Sequence, residues 1–187
     1  MSDIITALNR DHSNFAKLLE LLESEILAVE VGKTPDYPLM HDIMRYMAQY
    51  SDRFHHPKEE LIFAQLLARN PEIRTDVEDV IEEHVSIRLA GQEFAGLLRA
   101  SGVDSVAVRE RLGTSGLSYI RALREHMLKE ETKLFPLAKV VLTKKEWQVI
   151  DEAVDAIDDP LFDEMSARDY QRLYRLITYQ SETDGVT

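Results

Sequence analysis

The sequence predicts an all-α protein, a bundle of four long helices followed by short C-terminal helices. Three observations carry that prediction. Apolar residues recur every three or four positions through four long segments, the period of a helix with one buried face. Only 7 glycines and 6 prolines interrupt 187 residues, while 44% hydrophobic content is enough for a core. Each long segment also carries, inside its apolar stripe, either a single histidine or a histidine and a glutamate four residues apart, as four walls of one cage would.

The first helix is expected from about Asp3 to Glu30, with Ile5, Leu8, His12, Phe15, Leu19, Leu22 and Ile26 on one stripe. Gly, Thr, Pro and Asp between Gly32 and Pro38 end it and start the second, which should run to about Ala68. Stepping by three or four from Met40, Met44, Met47 and Ser51 along that helix lands on His55 and Glu59. The neighbouring His56 and Glu60 step back to Gln49, Asp52 and Arg53, a polar face, so they are expected at the periphery or in solvent. Pro57 cannot donate to the carbonyl of Arg53, so a kink is expected there.

Asn70-Pro71-Glu72 reads as a capped start of the third helix, which carries Val77, Val80, His84, Ile87, Phe94 and Leu98 and closes at Ser101-Gly102. The fourth begins near Asp104 or Ser105 and carries Tyr119, Leu123, His126, Glu130 and Leu134, with a kink or end at Pro136 and weak early turns at Gly113 and Gly116. Thr143 with Glu146 forms a capping box for a short helix through Ile157. Ser166 with Asp169 starts another that carries Tyr170, Leu173, Leu176 and Ile177, and residues from Ser181 read as a frayed end. The expected division is 1–142 for the bundle and 143–187 for a helical extension packed on or beside it.

Composition narrows the function. The net charge of -12 disfavours nucleic acid and anionic membranes, which call for a basic face. With no cysteine, any metal must be held by histidine and carboxylate. The N-terminus carries no basic region followed by an apolar run, no stretch is apolar for long enough to span a bilayer, and the expected location is cytoplasmic.

Depth along the bundle tests whether the histidines meet. At about 1.5 Å per residue, His12, His55, His84 and His126 lie roughly 14 to 20 Å from neighbouring helix ends if adjacent helices run antiparallel. A histidine on an apolar face is ordinarily a hydrogen-bonded core residue, which is the reading for His41, and the Met40, Met44, Met47, Tyr50 stripe reads as packing. Four inward histidines and two inward glutamates at one level are different, because burying them unpaired costs several kcal/mol that a bound cation would offset.

The set His12, His55 with Glu59, His84, and His126 with Glu130, together with the strings His-His-Pro-Lys-Glu-Glu-Leu-Ile-Phe and His-Met-Leu-Lys-Glu-Glu-Thr-Lys-Leu-Phe-Pro, resembles the hemerythrin-like family, the HHE cation-binding domain, over about Ile4 to Ala138. The resemblance implies an up-down-up-down four-helix bundle holding two non-haem irons, bridged by Glu59 and Glu130 and capped by the histidines. Oxygen-carrying members place two histidines four residues apart on the third helix; here His84 is followed by Arg88. That departure resembles the branch of iron or oxygen sensors and of proteins that handle peroxide or nitric oxide. The implied partner is a small diatomic or peroxide ligand, with Tyr50 and Tyr119 as candidate hydrogen-bond donors or replacement ligands at an open position.

Two other readings compete. A ferritin-like oxidase would use Glu-x-x-His, but Ile81 and Leu123 stand three residues before His84 and His126. A metal-free helical interaction module would use the acidic surface to meet a protein partner or a second copy. Asp11, Glu83 and Glu125 precede ligand-type histidines and point elsewhere, so they are not assigned as ligands.

Overall fold

Helix α1 (Asp3–Glu30) ends where Gly32 adopts φ 75, and the turn closes with Gly32 N–H donating to Val29 O at 3.0 Å and Lys33 N–H to Ala28 O at 2.9 Å. Only glycine takes that left-handed angle without steric cost, which is why the helix stops there. Asp36 then caps α2 (Tyr37–Tyr50), its carboxylate accepting the Leu39 N–H at 2.9 Å. The computed structural model describes residues 3–100, 106–154, and 171, 173, 175 and 176, and the regular elements among these are all helical.

The second and fourth long segments are each interrupted by a turn of π-helix rather than by a simple kink. Ser51–His55 forms one, closed by His56 N–H to Ser51 O, before α3 (His56–Arg69). Glu130–Leu134 forms the other, closed by Phe135 N–H to Glu130 O, between α5 (Val106–Lys129) and α6 (Phe135–Val141). Each π turn immediately precedes a proline, Pro57 or Pro136, in the first turn of the next helix. A proline has no N–H and its ring clashes with the carbonyl four residues back, so widening the preceding turn accommodates it without breaking the rod. Pro136 therefore does not end the fourth segment.

Asn70 makes no side-chain cap, contrary to its expected role; its carbonyl instead accepts Ile73 N–H at 3.3 Å in a 3-10 turn, Pro71–Ile73, that leads into α4 (Arg74–Ala100). The Thr143–Glu146 capping box does form at α7 (Lys144–Val154), with Thr143 N–H and Oγ1 both 2.7 Å from Glu146 Oε2. The expected closure at Ser101-Gly102, the start at Asp104 or Ser105, the Ser166–Asp169 cap, Tyr170, Ile177 and the end from Ser181 lie outside the described residues. Leu173 is helical and buried.

Helix α5 packs on α1 and α4, α2 lies against α1 and α4, and α3 contacts α4, α6 and α7. The approach of α5 is close at Gly116, where an added Cβ would stand 2.5 Å from Ile26 Cδ1 and 2.7 Å from Phe94 Cε2, so this glycine makes the packing rather than merely weakening a turn. Two apolar clusters result. One gathers Phe15, Leu19, Leu22, Met40, Met44, Met47, Tyr50, Phe94, Tyr119 and Leu123; the other gathers Ile5, Leu8, Phe63, Leu66, Val80, Leu134, Phe135 and Ile150. Between them the stripes carry histidine and glutamate, so a polar layer divides the interior.

Candidate metal centre

That layer is built from one histidine of α1, the π turn and first turn of α3, one histidine of α4, and the junction of α5 with the second π turn. His12, His55, Glu59, His84, His126 and Glu130 are all buried, and both glutamates are fully so. The spacing of four residues puts His55 beside Glu59 and His126 beside Glu130 because neighbours at that separation share a helical face.

The two carboxylates lie across the centre, each presenting an oxygen to either end. Glu59 Oε1 is 2.9 Å from His55 Nε2 and 3.4 Å from His12 Nε2, while its Oε2 is 3.5 Å from His84 Nε2. Glu130 Oε2 is 3.5 Å from His12 Nε2, and its Oε1 is 3.4 Å from His126 Nε2 and 3.6 Å from His84 Nε2. Two poles follow, one around His12 and His55 and the other around His84 and His126.

The structure adds a residue that the α-helical stripe placed outside. His56 is buried, its ring stacked on His84 with centroids 3.9 Å apart and 11° between planes. An uninterrupted α-helix would put it at the periphery or in solvent; the π turn ending at His55 changes the register at which the next residue meets the core. One donor atom from each of His56, Glu59, His84 and His126 lies within 4.8 Å of the others, and His12, His55 and Glu59 form a second such group. Glu60, by contrast, remains outside, its side chain 55% exposed.

Sequence reading also missed what stands behind the imidazoles. His55 Nδ1 is 3.3 Å from Asp11 Oδ2, His126 Nδ1 is 3.1 Å from Glu83 Oε2, and His12 Nδ1 is 2.9 Å from Glu131 Oε1. Asp52 stands 3.7 Å from His56 Nδ1 and Glu60 4.0 Å from His84 Nδ1. The available signal was that acids sit next to the histidines and glutamates in the chain, but each of Asp11 and Glu83 serves a histidine on another helix. A carboxylate on one ring nitrogen fixes the imidazole's orientation and leaves the other nitrogen as a donor atom. Tyr50 donates its hydroxyl to Asp11 Oδ2 at 2.8 Å, Tyr119 packs in the apolar cluster beneath Gly91, and Arg88 and Glu125 are exposed.

Electrostatics show a cluster that compensates itself with protons when free of cations. Burial and the charge of Glu59 push Glu130 well above the usual carboxylate range. Burial acts on Glu59 in the same direction, but the charge of the neighbouring His55, with the rings of His12 and His84 close by, holds it well below that range. For His55, burial is outweighed by Glu59 and Asp11, which raise it to about 9, whereas burial and the charge of His84 lower His126 to about 4.

Even so, seven buried atoms among the described residues have no hydrogen-bond partner: both oxygens of Glu59 and Glu130, both ring nitrogens of His84, and His126 Nε2. At about 1–3 kcal/mol each, the cost is on the order of 10 kcal/mol, comparable to the net stability of a domain. Imidazole nitrogen and carboxylate oxygen are donors suited to iron and similar transition metals, so the residues fit a cation at each pole.

No curated protein matches the chain. A family model does, the hemerythrin HHE cation-binding domain, over residues 3–138, a span that contains every residue of this polar layer. The chain belongs to the hemerythrin HHE cation-binding family.

Proposed function

We propose that this chain is a non-haem di-iron protein that senses or reacts with dioxygen, peroxide or nitric oxide. The observation that carries the reading is the pair of buried carboxylates, each with an unpartnered oxygen toward either pole. His12 and His55 would hold one iron, His84 and His126 the other, and Glu59 and Glu130 would bridge them in an up-down-up-down four-helix bundle. Bound iron supplies a redox-active Lewis acid at which a small oxygen or nitrogen species can attach.

The chain's own residues set the conditions for that chemistry. The two shared carboxylates bring four oxygens and two negative charges between the poles, which reduces repulsion between two cations. Asp11, Glu131 and Glu83 make their imidazoles better donors, which would stabilise a bound metal in its more highly charged state. That bias favours net oxidation over reversible oxygen transport. Phe135 stacks on His12 at 5.7 Å and Phe15 meets His55 edge-on at 5.0 Å, so apolar rings flank that pole.

We also propose that residues 1–142 form the metal-binding bundle and 143–187 an extension packed on or beside it; Ile150 and Trp147 of α7, the described part of that extension, join the cluster of Leu142 and Phe63. Among the described residues no helix is long and apolar enough to cross a membrane, and a cytoplasmic location accords with that.

Elemental analysis after iron-replete expression tests the metal assignment: about two irons per chain are expected, and absence of any bound transition metal would refute it. Exposure of anaerobically reduced protein to air, followed by removal of oxygen, tests the chemistry. An oxidised visible spectrum that persists is expected; full return to the reduced spectrum would identify a reversible carrier.

A further inference from the structure

We propose that Tyr50 is a redox-active residue beside the metal centre, its phenol giving one electron to the centre through His55 and its proton to Asp11. This role rests on the di-iron reading and goes beyond it, because it falls to a side chain of the bundle wall that holds no metal.

One carboxylate joins the phenol to a ligand-type imidazole. The Tyr50 hydroxyl donates to Asp11 Oδ2 at 2.8 Å, and the same oxygen lies 3.3 Å from His55 Nδ1. The Tyr50 and His55 rings have centroids 6.4 Å apart, so no other residue is needed to carry an electron between them. A phenol gives up an electron readily only when its proton leaves with it, because the oxidised phenol is a strong acid. A hydroxyl placed for packing alone is satisfied equally well by a carbonyl or a water. The carboxylate of Asp11 is a partner that can also keep the proton.

The surroundings suit an oxidised tyrosine. Tyr50 is 1% exposed. Tyr46 and Phe54, one turn before and one turn after it, stack on its ring with centroids 5.3 and 5.8 Å away, and Phe15 meets it edge-on at 5.7 Å. Phe15 also touches the His55 ring edge-on, so the phenol, the imidazole and the carboxylate between them form one buried unit.

Hydrogen peroxide is the oxidant of the proposed step, and its reduction to two waters takes two electrons and two protons. With both irons ferrous, both electrons come from the metal. With only one ferrous ion left, one electron comes from that ion, which becomes ferric, and Tyr50 supplies the second. The Tyr50 O–H bond breaks, the electron passes to the centre, the proton goes to Asp11 Oδ2, and solvent supplies the two protons of the waters. Tyr50 is left as a neutral phenoxyl radical and Asp11 as a neutral acid.

Electron paramagnetic resonance tests this on freeze-quenched, iron-loaded protein, poised with one ferrous ion per pair and mixed with one equivalent of peroxide. Wild type should give a tyrosyl radical whose hyperfine splitting collapses when the protein is made with ring-deuterated tyrosine. At equal iron content Tyr46→Phe should keep the signal. Tyr50→Phe should lose it, and so should Asp11→Asn, whose amide takes no proton. No tyrosyl radical in wild type holding about two irons per chain would overturn the inference and leave the di-iron reading standing. Survival of the radical in Tyr50→Phe or Asp11→Asn, or its loss in Tyr46→Phe, would do the same. If Tyr50→Phe failed to load iron, the phenol would be a ligand and the inference would fall. Failure of the wild type to bind iron would overturn the di-iron reading itself.

Discussion

Asp11 holds His55 from a different helix: its Oδ2 lies 3.3 Å from His55 Nδ1 and also accepts the Tyr50 hydroxyl at 2.8 Å. The carboxylate is nearly buried, so His55 is oriented by a charged partner that water does not screen. Loss of such an outer carboxylate typically weakens metal binding about 10–100-fold. Asp11→Asn should therefore lower iron affinity within that range, measured by competition with a chelator. Tyr50→Phe should change it much less, because the phenol donates to Asp11; loss of iron in Tyr50→Phe would make the tyrosine a ligand.

Glu59 and Glu130 each lie within 3.6 Å of histidines at both poles, so in the proposed centre each would serve both metals and each histidine one. Glu59→Ala and Glu130→Ala should each lose both irons, and His55→Ala should lose one preferentially. Glu60→Ala should retain both, since its carboxylate is more than half exposed and 4.0 Å from the His84 ring. Metal content per chain after desalting decides the ranking, and retention of two irons by Glu130→Ala would contradict the bridging arrangement.

Metal binding should grow stronger with rising pH and release protons. In the cation-free protein His55 is raised to about 9 by Glu59 and Asp11 against the effect of burial, and Glu130 is raised by burial and by Glu59. Both groups would bind iron only without their protons, so below pH 9 loading would have to displace at least the His55 proton. Each displaced proton makes the apparent affinity rise about tenfold per pH unit until the group's own pKa is passed. Calorimetry in buffers of differing ionisation enthalpy at pH 7 should report proton release; zero protons released would contradict this account.

Gly116 of α5 faces Ile26 of α1 and Phe94 of α4. Its added Cβ would meet Ile26 and Phe94 at 2.5 and 2.7 Å, so Gly116→Ala should destabilise the protein by about 1–3 kcal/mol despite alanine's better helix propensity. At Gly91 the nearest contact, Tyr119 Cε2, is 3.1 Å away and the ring can yield, so Gly91→Ala should cost less. Urea denaturation of the two variants checks the order.

The sequence by itself determined the helical class, the limits of α1, the capping box at Thr143, and the level at which six ligand-type residues meet. All of these depend on local spacing: a constant rise and a period of 3.6 residues place His12 and His84 wherever the α-helix persists. Tertiary structure decided the rest, for two physical reasons. At Pro57 the chain answers a missing N–H with a π turn, so the α-helical period no longer tells which face His56 takes, and the residue read as peripheral enters the core. The carboxylates behind the imidazoles pair residues far apart in the chain, Asp11 with His55 and Glu131 with His12. Those pairings depend on how each helix is rotated against its neighbours, which close packing at contacts such as Gly116 sets and which no periodicity within one segment encodes.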